Sequence, residues 1–102
     1  MPNEMCQFMV NFTLPAVLSD RFTEKVPEQR AVVNTYFAEG KLVSYAVSLE
    51  KAKSWAVFNA ETEEDVIEMV RGLPLTRYMR YEICPLTFYN IMIARMPLFS
   101  VN

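Results

Sequence analysis

Residues 54–83 read SWAVFNAETEEDVIEMVRGLPLTRYMRYEI, and few folds accommodate that succession. Ser54–Ala60 alternates, with Trp55 and Val57 on one side and Ala56 and Phe58 on the other, which is a strand. Thr62 follows as a helix N-cap, and Glu63, Glu64 and Asp65 complement the positive end of the helix dipole. Val66, Ile67, Met69, Val70 and Leu73 supply the apolar stripe, and Gly72 is expected to stop the helix. Leu73-Pro74-Leu75 then opens a tight corner of about one helical turn, and a last strand runs from Met79 to Tyr89. Pro85 inside that strand lacks a backbone donor, so the strand belongs at a sheet edge.

The first half repeats the scheme. Met5–Leu14 is a strand with Cys6, Phe8, Val10, Phe12 and Leu14 on one face and a mixed face opposite. Ser19 or Asp20 caps a short turn over Arg21–Lys25. Pro27 suits the first position of a new helix reaching Glu39, with Ala31, Val32, Val33, Tyr36, Phe37 and Ala38 as a broad stripe. One continuous helix from Asp20, kinked at Pro27, is the other reading. Gly40 supplies a left-handed stop. In Lys41–Leu49, Val43, Tyr45, Val47 and Leu49 alternate with Leu42, Ser44, Ala46 and Ser48. The short connector Glu50–Lys53 makes a hairpin with the strand that follows.

The order strand, helix, strand, strand, helix, strand predicts an α+β fold. It is a ferredoxin-like βαββαβ antiparallel sheet with two helices on one face. Right-handed crossovers place the first strand centrally and the fourth at an edge. Residues 1–89 complete this domain. Residues 90–102 hold Ile91, Met92, Ile93, Met96, Leu98, Phe99 and Val101, too apolar for a free tail, and are expected to dock as an arm on a partner subunit. At 52% hydrophobic residues in 102, a small monomer has too little interior for its apolar content. A homodimer or larger homo-oligomer is therefore expected.

The net charge of -2, with basic residues scattered singly, gives no electrostatic case for nucleic acid or an anionic membrane. No apolar run approaches the ~20 residues of a membrane span. No signal-peptide pattern opens the chain, and two cysteines are too few for a disulfide scaffold, so a cytoplasmic protein is expected. There is no histidine and no Cys-x-x-Cys pair, so neither a metal nor a cofactor is expected. Cys6 and Cys84 read as small buried hydrophobes.

Leu73-Pro74-Leu75 followed by Tyr78-Met79 and Glu82-Ile83, with Ala38-Glu39-Gly40 and Trp55–Asn59, resembles the muconolactone isomerase family of dimeric α+β barrels. The likeness spans most of residues 5–88. It implies two sheets paired face to face, and cofactor-independent proton transfer on a small lactone or organic acid. It also implies an acidic residue early in the first helix. Gln29 stands where that glutamate would be, with Glu28 beside it. The same resemblance leaves two other functions open: a non-catalytic small-molecule-binding or scaffold barrel, and a cofactor-free monooxygenase-type barrel using Asn11, Trp55 and Arg80.

Glu28, in the first turn of a helix, can act as a base or be an ordinary first-turn acid. Arg80 and Glu82 share a strand face. The arginine can clamp a carboxylate, and a glutamate in a dry pocket can act as an acid or base; an edge-strand ion pair is the plain alternative. Glu28 and Glu82 are thus the catalytic candidates. Gln29, Tyr45, Trp55 and Arg80 are the substrate-binding candidates, with packing as the aromatics' alternative role.

Overall fold

Alternation in Cys6–Thr13 (β1) sends Phe8, Val10 and Phe12 to one side, where each is at least nine-tenths buried. The computed structural model describes residues 5–90. Along the chain follow α1 (Asp20–Glu24), α2 (Val26–Ala38), β2 (Leu42–Ser48), β3 (Lys53–Ala60), α3 (Glu63–Arg71), a 3-10 turn (Thr76–Tyr78) and β4 (Arg80–Leu86). The strands form one antiparallel sheet in the order β2-β3-β1-β4. The first strand is central and the fourth is an edge, as the crossover rule and Pro85 required. The expected α+β architecture is therefore present, with α1 as an addition.

Between α1 and α2 only Lys25 intervenes, in right-handed helical geometry, and the Gln29 amide already bonds to its carbonyl at 2.9 Å. The two alternatives for this stretch merge: the helix restarts at Val26, with Pro27 in its first turn, after a single-residue break at Lys25. Ser19 caps α1, accepting from the Phe22 amide at 3.1 Å. Thr62 caps α3 in the same way through Asp65, at 3.2 Å.

The helical glycines differ in kind. Gly40 has φ 75°, the left-handed stop. Gly72 stays right-handed, at φ -74°. It is small because a Cβ there would run into the Tyr36 hydroxyl. That hydroxyl donates to the Met69 carbonyl at 2.8 Å, tying α2 to α3. Burial pushes the Tyr36 phenol pKa up, with Lys41 opposing and Glu39 adding a little.

The core lies between the sheet and the helices. Phe8, Val10, Phe12, Ala56, Phe58 and Ala60 from the sheet meet Val33, Val66, Val70 and Leu73. Burying side chains of this size contributes ~1.5–3 kcal/mol for each large one. The stripe expected on α2 is narrower than predicted. Ala31, Phe37 and Ala38 are exposed, and the positions facing the sheet are Gln29, Val33 and Tyr36. In β2 the simple alternation also fails. A bulge between Leu42 and Ser44 turns Leu42 onto the face of Tyr45 and Val47, where it is buried against Phe58's strand position.

The face away from the helices carries Met9, Asn11 and Thr13 from β1, Trp55 and Val57 from β3, and Arg80, Glu82 and Cys84 from β4. The chain after β4 crosses this face. Tyr89 reaches the opposite edge strand, where its hydroxyl donates to Ser44 Oγ at 3.1 Å. Val57, on this face, is only 1% exposed. The apolar arm expected over residues 90–102 lies, apart from Asn90, outside the described residues.

Candidate functional site

In the first turn of α2, helical geometry parts Glu28, which turns outward, from Gln29, which turns inward. Gln29, Val33 and Tyr36 stand at i, i+4 and i+7 and share the inner face. Gln29 is consequently 4% exposed, a buried amide that must find partners. Its Oε1 accepts the Leu75 backbone N–H at 3.0 Å, and its Nε2 donates to the Tyr45 hydroxyl at 3.1 Å. The Leu73-Pro74-Leu75 corner thus presents a free amide, and Gln29 relays it to β2. Because Tyr45 accepts from Gln29, its own phenolic proton remains for another acceptor.

This relay borders a cavity of 490 Å³ between the helices and the sheet. Its walls are largely apolar: Leu14, Phe22, Val26, Val47, Leu75 and Met79. Ser54 also lines it, but its hydroxyl is spent on the Ala46 carbonyl at 2.9 Å. Arg30 brings one cation. The described lining holds neither a carboxylate nor a thiol. A mainly apolar hollow with a few fixed polar groups is the usual form of a small-molecule site.

Of the six candidate residues, the fold brings together Gln29 and Tyr45. Glu28 turns outward: its side chain is 62% exposed and pairs with Lys25 at 3.4 Å. Trp55, Arg80 and Glu82 lie on the opposite face of the sheet, so they share no pocket with Gln29. There Asn11 stands in register between Trp55 and Glu82. Arg80 and Glu82 line a 370 Å³ hollow with Asn11, Thr13 and Lys53, and the Lys53 ammonium donates to Thr13 Oγ1 at 3.0 Å. The edge-strand ion pair is not formed, since the described residues place no Arg80–Glu82 contact within 4.0 Å. Asn11 Oδ1 is buried and has no hydrogen-bond partner among the described residues.

Cys6 and Cys84 are both exposed, against the expectation of burial. Cys6 starts β1 beyond the reach of the helices, and Cys84 lies on an edge strand's uncovered side. Sequence reasoning also overlooked Arg30 and the Leu75 amide. The 29–33–36 spacing was the signal for Gln29's face, but a backbone donor 46 positions away leaves no mark in composition.

A four-stranded antiparallel sheet with its helices on one side, and a ligand-sized cavity between the layers, defines the class: a split βαββαβ α+β protein. Residues 7–91 match the family model of muconolactone delta-isomerase, and the chain belongs to that family. A solved structure, the crystal structure of muconolactone isomerase at 3.3 Å resolution, is similar in fold. Its TM-score is 0.67 at 21% identity, over 86% of this chain and 95% of that one. No curated protein matches the sequence. No helix among the described residues is long and apolar enough to cross a membrane.

Proposed function

We propose that this chain binds a small lactone or related unsaturated organic acid in the cavity between its helices and its sheet. Tyr45 donates to the ligand's carbonyl oxygen. The observation that carries this reading is the Leu75–Gln29–Tyr45 relay inside an otherwise apolar hollow. A fixed neutral donor in a dry site stabilises negative charge as it develops on a carbonyl oxygen, which proton removal beside that carbonyl would require. Arg30 is the group suited to a ligand carboxylate.

Isomerisation also needs a base. In the isomerase reading Glu28, one residue from Gln29, supplies it by leaving Lys25; Glu82, across the sheet, cannot reach this cavity. The absence of a carboxylate from the described lining favours the second reading, a binding protein without turnover. The two readings separate in one experiment. Muconolactone is titrated calorimetrically into the protein, and its isomerisation is followed by NMR. Tyr45→Phe should weaken binding about tenfold, the worth of one hydrogen bond of ~1.4 kcal/mol. Glu28→Gln and Glu82→Gln should leave affinity unchanged. Turnover lost on Glu28→Gln and kept in Glu82→Gln selects the isomerase reading in this cavity. An unaltered affinity in Tyr45→Phe removes the cavity from the function.

A further inference from the structure

The basic residues are scattered in sequence, but the fold gathers three of them at one place. Lys25 sits between α1 and α2, Arg71 ends α3, and Arg77 lies in the 3-10 turn. All three line a 350 Å³ pocket beside Pro74. One carboxylate joins them, Glu28, which engages Lys25 at 3.4 Å. Three cations against one carboxylate leave a surplus of two positive charges in a chain whose net charge is -2. Among the described residues neither Arg71 nor Arg77 has a carboxylate within 4.0 Å.

The pocket's frame is held in place. Thr76 donates its hydroxyl to the Val70 carbonyl at 2.7 Å, fixing the corner to the end of α3. The Arg77 guanidinium lies 5.8 Å from the Tyr78 ring centroid. Two unpaired guanidiniums and an ammonium on one concave surface present forked donors to a single acceptor group.

We propose that Lys25, Arg71 and Arg77 form a second site, separate from the cavity, for a small oxyanion of two or more charges, a phosphate or a polycarboxylate. The anion displaces Glu28 from Lys25 and bridges three elements. Two of those places also wall the cavity, the start of α2 through Val26 and Gln29 and the cap of the 3-10 turn through Leu75, so occupancy stiffens one end of it. This site depends on charge convergence alone and stands apart from the lactone reading.

The test is an NMR titration of the isotope-labelled full chain at constant ionic strength. Sodium phosphate and citrate are the probes, and chloride is the control. Saturable shifts are expected at the Lys25, Arg71 and Arg77 amides, with a Kd on the order of 1 mM. Arg71→Ala and Arg77→Ala should each weaken binding about two- to fivefold, as for exposed ion pairs. Glu28→Gln should tighten it by about twofold or more, because the competing carboxylate is gone. Saturation by only one probe supports the site and names its anion class. Shifts that rise without saturating, that chloride reproduces, or that the alanine variants retain in full overturn it.

Discussion

Tyr36 shows how one hydroxyl can set a pH dependence. Its phenol is held neutral chiefly by burial, so the folded protein keeps the proton to higher pH than an unfolded tyrosine with its value of 10.0. The folded pKa is the raised one. The stabilisation is therefore complete below the unfolded value, and it is lost as pH rises through 10.0 towards the folded one. Melting temperatures from about pH 8 to 11 should fall more steeply for the parent than for Tyr36→Phe, since the other tyrosines are common to both. Parallel curves would refute it. Gln29 teaches a different lesson at the same scale. Its position in the first turn was visible in the sequence, as was its neighbour Glu28. Which of the two faces inward was decided by the register of α2 against the sheet. Two hydrogen bonds from distant segments then made a neutral amide tolerable there.

At the scale of elements, the contact between α2 and α3 runs through Gly72. Alanine at this right-handed position has no backbone penalty, so its cost comes from the Tyr36 hydroxyl and the bond to Met69 that would break. Gly72→Ala should destabilise the fold by about 1–3 kcal/mol. In a Tyr36→Phe background the same change should be neutral or stabilising by about 0.5 kcal/mol. Denaturant melts of the four proteins form the cycle, and additive effects would break the explanation. Element order, both N-caps, the corner and the edge position of β4 were legible because local patterns specify them: Thr62 before three acids, Pro85 within an apolar run. The bulge in β2 was not. Nothing in LVSYAVS marks Val43 as the extra residue, since the pairing with β3 creates it. The opposite-face placement of Glu82 and Gln29 likewise follows from assembling the sheet, with each residue's strand or helix already correctly assigned.

For the whole molecule, the question is what covers the second face of the sheet. Met9 and Trp55 are half-buried there, and Asn11 Oδ1 has no donor among the described residues. A second copy would supply apolar contact and a donor together. Sedimentation at ~10 μM should give a dimer or larger, as burying apolar groups of this size at a mutual interface favours. Met9→Arg should shift it to monomer while leaving the cavity on the other face able to bind. A parent protein that sediments as a monomer ends this reading. Tyr89 already bonds to Ser44 on that face, so an arm over residues 90–102 starts within the surface a partner would use. Truncation after Tyr89 that preserves the oligomer's full mass would exclude the arm from assembly.

The strand order also governs how the chain can be made. β1 leaves the ribosome first, yet it is flanked by β3 and β4, which are synthesised far later. Phe8, Val10 and Phe12 therefore wait, unsheltered, until Lys53–Ala60 appears, and their strand lacks its other neighbour until Arg80–Leu86 does. Sheet closure from distant partners is slow, and exposed apolar strands invite association in the interval. A released chain ending at Arg71 holds three strands and every α-helix of the described fold, but leaves one edge of β1 bare. It should be digested readily by protease, and resistance should appear only once Leu86 has been added.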